Sequence, residues 1–153
     1  MANSQTLKKP LQTEPGYEQD FYFWAFRQAA LLREGRLTEL DIANVAEELE
    51  TLGRAEFNSL VSVLRVLTMH MLKWDYQPEK SSRSWILTIT NQRLDLTDVL
   101  AENPGLKPRF GEALERAYKR AHLDAANETG LDMKQFPVEC PYDLAAITER
   151  DFG

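Results

Sequence analysis

From Phe57 to Tyr76 the chain reads FNSLVSVLRVLTMHMLKWDY, with twelve of its twenty positions apolar. Positions 57, 60, 61, 64, 67, 71 and 74 recur at helical spacing, and Val63 and Val66 carry the stripe round to a second side. A helix apolar over so much of its circumference has to be surrounded by other helices. Pro78 ends it, because proline lacks the N–H and forces the residue before it out of the α region. The pattern predicts the central helix of an all-α domain.

The remaining elements follow from the same periodicity. From about Glu18 the stretch YEQDFYFWAFRQAALLREG turns aromatic and then helical, with Phe21, Trp24, Gln28 and Leu31 on one face. Gly35 supplies its stop. A second helix starts at Thr38 or Asp41, the latter with Leu40 and Val45 spaced as a hydrophobic staple. Ile42, Val45, Leu49 and Leu52 form its apolar stripe, and Gly53 is expected to end or kink it before the central helix. A short turn there makes the two antiparallel neighbours and sets Glu47 and Glu50 opposite roughly Asn58 to Leu60. Serines in EKSSRSW suit the cap of a fourth helix over about Ser84–Glu102, broken by Asn103-Pro104-Gly105. A fifth runs from about Pro108 to Asn127, with Phe110, Leu114, Ala117, Tyr118, Ala121 and Ala125 on one face and Gly130 as its stop. Pro137 and Pro141 leave the tail as an extended strap with a short last helix. The expectation is one helical bundle of about five main helices over residues 17–153 with an irregular C-terminal tail, preceded by a flexible arm at 1–16.

Composition narrows the class. At 153 residues the chain suits one domain, and no apolar run approaches a membrane span. The start, MANSQTLKKPLQTEPGYEQ, has no apolar segment of the kind a secretory signal needs. Cys140 is the only cysteine, so there is no internal disulfide, and a cytoplasmic location is expected. The net charge of −6 argues against general nucleic-acid binding. It is unevenly spread: residues 1–53 hold 5 basic and 9 acidic groups, residues 54–93 hold 6 and 3, and residues 94–153 hold 7 and 12. Complementarity between acidic and basic helices explains this directly. Nucleic-acid or nucleotide binding at the basic 65–93 segment is the weaker alternative.

Few residues suggest chemistry. Glu47, Glu48 and Glu50 crowd three acids into four positions, and with His70 they could build an irregular metal or catalytic site. Helix-bundle di-metal sites, however, use Glu-x-x-His pairs, and the positions three before His70 and His122 are Leu67 and Lys119. His70 reads as a hydrogen-bonded core residue and no metal or other cofactor is implied. Lys73, Gln92 and Arg93 complete a candidate polar cluster, with Arg93 or another base of the fourth helix expected to pair with the glutamates. Ser81, Ser82 and Ser84 lack any nucleophile-elbow context. Phe21, Tyr22, Phe23, Trp24 and Phe26 cannot all enter one core face, which points to self-association or a protein partner.

The segments EELETLGRAE, MHMLKWDYQPEKSSRSW, TITNQR and ETGLDMKQFPVECPYDL together resemble the DUF29 family, and the likeness covers about residues 17–152. The resemblance implies a compact, mostly helical cytoplasmic protein of bacteria and brings no catalytic residue to any position. The reading that results is a non-enzymatic interaction or regulatory module, with a protein partner or a second copy as its ligand. Its rival is a small enzyme or metal-binding bundle built on Glu47, Glu48, Glu50 and His70.

Overall fold

Asp20 sets the first helix. Its carboxylate accepts a hydrogen bond from Phe23 N at 2.9 Å, satisfying one of the donors that a helix start leaves open, and α1 runs over Phe21–Arg33. Gly35 follows it at φ +70°, a left-handed conformation that a β-carbon would strain. The computed structural model describes residues 13–153. Of the expected arm, residues 1–12 lie outside the described residues, and 13–16 belong to no helix or strand.

After a 3₁₀ turn at Leu37–Glu39, α2 runs over Ile42–Tyr76, 35 residues without interruption. It starts at Asp41 rather than Thr38, since the Asp41 carboxylate accepts from the Asn44 side-chain amide at 2.8 Å and from Asn44 N at 3.4 Å. The expected break at Gly53 does not occur. Gly53 is not among the positive-φ glycines, and a lone glycine costs a helix only about 1 kcal/mol against alanine. Glu, Leu, Ala and Arg on either side are all strong helix formers, so the helix passes through. The antiparallel pairing of Glu47 and Glu50 with Asn58–Leu60 falls with the break, because all of them lie along one helix.

Ser82 caps α3, Arg83–Glu102, by accepting from Trp85 N, and a 3₁₀ stretch at Pro104–Arg109 leads into α4, Phe110–Thr129. Gly130, at φ +73°, ends α4 as expected. A 3₁₀ turn at Met133–Gln135 and a strap lead to α5, Leu144–Glu149, capped by Asp143. The chain is all-α, with five α-helices and no strand among the described residues.

The chain forms two compact units, one running to Thr51 and the other Leu52–Gly153. In the second, Phe57, Leu60, Leu64, Leu67, Met71 and Leu72 of α2 are buried in one cluster with Ile89 and Leu96 of α3. α4 contributes Tyr118 and four fully buried alanines, Ala113, Ala117, Ala121 and Ala125. The tail adds Phe136, Tyr142, Ile147 and Phe152, so the strap is core rather than trimming. Each large apolar side chain so buried contributes on the order of 1.5–3 kcal/mol.

The first unit is built differently. Trp24, Gln28 and Leu31 of α1 are buried, and their polar atoms close on the start of α2. The Trp24 indole N–H donates to Asp41 Oδ2 at 3.1 Å, and Gln28 Oε1 accepts from Asp41 N at 2.8 Å. Tyr17 donates to Glu48 and packs edge-on against Phe21 and Trp24. Of the apolar stripe on α2, Ile42, Leu49 and Leu52 are all exposed.

Candidate functional site

The aromatic run on α1 divides by helical phase. Trp24 faces inward with Gln28 and Leu31, three and four residues apart, and so leaves the interaction set. Phe21, Tyr22, Phe23 and Phe26 are exposed; Tyr22 is 74% accessible and Phe26 62%, and their rings lie 4.8 Å apart. On α2, Ile42 is 67% accessible and Leu49 63%. Their spacing with Val45, three then four residues, is that of knobs that enter a partner helix. Hydrogen bonding to Glu48 pushes the Tyr17 phenol up to about 12, so it remains a neutral donor. The Asp41 carboxyl is held below its usual range, mainly by the Asn44 side-chain amide.

The candidate polar cluster is divided between the units: Glu47, Glu48 and Glu50 belong to the first, and His70, Lys73, Gln92 and Arg93 to the second. Lys73 Nζ binds Glu128 of α4 and lies 4.5 Å from the centre of the Trp85 ring. Gln92 donates to Asp95, one turn along α3. Arg93 was expected to serve the glutamates and instead caps the tail: it donates to the carbonyls of Ile147 at 2.7 Å and Arg150 at 2.8 Å, and stacks over Phe152. Burial lowers its pKa, aided by the neighbouring charge of Arg150.

The same end of the second unit holds a tighter polar group. Asp75 accepts from Tyr142 Oη at 2.7 Å and from both guanidinium nitrogens of Arg150. Burial works against its ionisation, yet the hydrogen bonds from Arg150 and Tyr142 together hold its carboxyl below the usual range. Trp74 packs edge-on against Phe152 and Tyr76 against Phe136, so these rings anchor the tail. Sequence reasoning missed this assembly. Its partners stand more than fifty residues apart, and no local pattern joins them.

Among the described residues of the second unit are two open clefts. One, of about 550 Å³, runs past Ser62, Val66, Met69 and Asn127, and Arg65 there is bound to Asp124. The other, of about 520 Å³, lies by Leu114, Tyr118, Val138 and Cys140, whose thiol is pushed up by burial.

His70 Nδ1 is 2.9 Å from the carbonyl of Val66, one turn back, to which an Nδ1–H donates. Burial lowers its pKa, against a smaller opposing effect of the hydrogen bond to the Val66 carbonyl, and the nearby charge of Lys73 adds a little to the lowering. The folded protein therefore holds fewer protons at this ring than the unfolded chain. Stability should fall as pH drops below the ordinary histidine value of about 6.5, and continue to fall through the lower folded value. Urea midpoints at pH 7.5 and 5.5 should show this loss, and the part due to the ring should vanish in His70→Asn. An unchanged pH dependence in that variant would rule the ring out as its source.

The domain-of-unknown-function family DUF29 matches residues 17–153 of the chain. The chain belongs to the DUF29 family. No curated protein and no solved structure matches it. In this DUF29 protein no helix among the described residues is long and apolar enough to cross a membrane.

Proposed function

We propose that this DUF29 protein is a non-enzymatic protein-interaction module whose first unit carries the docking surface. The supporting observation is that both helical segments of that unit present their large apolar side chains to solvent, at Tyr22, Phe26, Ile42 and Leu49. Single exposed apolar residues are normal on protein surfaces, but four exposed aromatics on one helix and a knob-spaced exposed stripe on the next are more than such scatter. A second chain that covers it would gain the burial free energy that the unit leaves unclaimed.

Hydroxyl-radical footprinting of the dilute full chain tests this. Tyr22 and Phe26 should be oxidised at rates near those of the free amino acids, once intrinsic reactivity is allowed for, while Tyr118 is protected. Protection of Tyr22 and Phe26 in a chain that sediments as a monomer at every concentration would end the reading, since the surface would then be covered from within.

A further inference from the structure

We infer that the partner of the first unit is a cationic amphipathic helix, with one apolar face flanked by lysine or arginine. The inference rests on the docking reading above and adds the chemistry of the ligand. Ile42, Val45 and Leu49 are spaced for helix-on-helix packing, and Ala46 beside them leaves room for a close approach.

Charge then selects the partner. Residues 1–51 contain five basic and nine acidic side chains, a net charge of −4. Arg27 is bound to Glu14, and Arg36 to Glu34 and Glu39, so two of the three arginines already have carboxylates. Near the stripe, Asp41 accepts from Trp24 and Asn44, and Glu48 from Tyr17. These donors are neutral: they orient the carboxylates and leave the negative charge in place.

A second copy is the poorer occupant. Parallel pairing of the stripe with itself would bring Glu48 against its own equivalent, antiparallel pairing would bring Asp41 toward Glu50, and like charges across a helix pair are unfavourable. Phosphate-bearing surfaces are repelled for the same reason. A helix with basic flanks satisfies both the apolar and the electrostatic requirement.

The test uses the full chain and three labelled synthetic peptides of one length. The first is a leucine-seamed helix with flanking lysines, the second its isomer with glutamates for lysines, and the third a scrambled lysine peptide with no apolar face. Fluorescence anisotropy should show the first peptide binding at least tenfold tighter than either of the others. Its affinity should drop several-fold between 50 and 300 mM salt, and at least tenfold in the combined variant Ile42→Ser with Leu49→Ser. Equal binding of the glutamate isomer would overturn the charge assignment and leave the docking reading standing. Equal binding of the scrambled peptide would reduce the effect to unspecific attraction and also overturn it. If no peptide binds and the chain self-associates through Ile42 and Leu49, the occupant is a second copy and the inference is wrong. If no peptide binds to a chain that stays monomeric, the inference fails; footprinting then decides whether the docking reading fails with it.

Discussion

Leu64→Ala should lower the free energy of unfolding by about 2–5 kcal/mol, while Leu49→Ala on the same helix should change it by less than about 0.5 kcal/mol. Leu64 is fully buried in the cluster of the second unit, so truncation loses the transfer free energy of three carbons and leaves a cavity. Leu49 is mostly in water already, and alanine has slightly the better helix propensity. Urea titrations followed by circular dichroism would read both, with unchanged slopes confirming that only stability moved. Comparable losses at the two positions would mean that Leu49 is covered in solution, and the exposed stripe would lose its meaning as a free surface.

Arg93→Ala should cost about 2–4 kcal/mol and loosen the tail before anything else. The guanidinium supplies donors to carbonyls at the end of α5, the groups that a helix terminus leaves without intrahelical partners. Six residues cannot hold a helix in water unaided, so α5 depends on this capping and on the burial of Ile147 and Phe152. Losing two charge-assisted hydrogen bonds and the stacking on Phe152 accounts for the magnitude. Arg93→Lys should fall between, since an ammonium keeps the charge but cannot fork to two carbonyls. In hydrogen exchange, the amides of residues 144–150 should open at least tenfold faster in Arg93→Ala, with the buried part of α2 little changed. Uniform acceleration across the second unit would show that Arg93 supports the whole core and not the tail in particular.

Much of the architecture was legible because local chemistry decides it. Ser82, Gly35, Gly130 and the Asn103-Pro104-Gly105 break each act within a turn of where they stand, and the helices they bound lie within a few residues of their expected limits. Gly53 misled because a glycine permits a stop without requiring one, and no proline or left-handed cap accompanies it. The stripe at Ile42, Val45 and Leu49 was correctly read as one face, but periodicity states only that a face is apolar. It does not say whether the covering atoms belong to the same chain. The hydrogen-bond partners of Arg93, Lys73 and Asp75 were out of reach for another reason: they lie more than fifty residues away, and only the folded chain sets them beside one another.

The four buried alanines of α4 bear on how the sequence can drift. At positions 113, 117, 121 and 125 the side chains are fully buried, so Ala→Val would press added methyl groups into the core and is expected to cost about 1–3 kcal/mol. Glycine would cost about 1 kcal/mol in helix propensity, and a serine hydroxyl could turn back to the carbonyl one turn earlier. Neutral change along this line is thus confined to the smallest residues, and the helix can lengthen or shorten its exposed side chains freely while its inner edge stays almost bare.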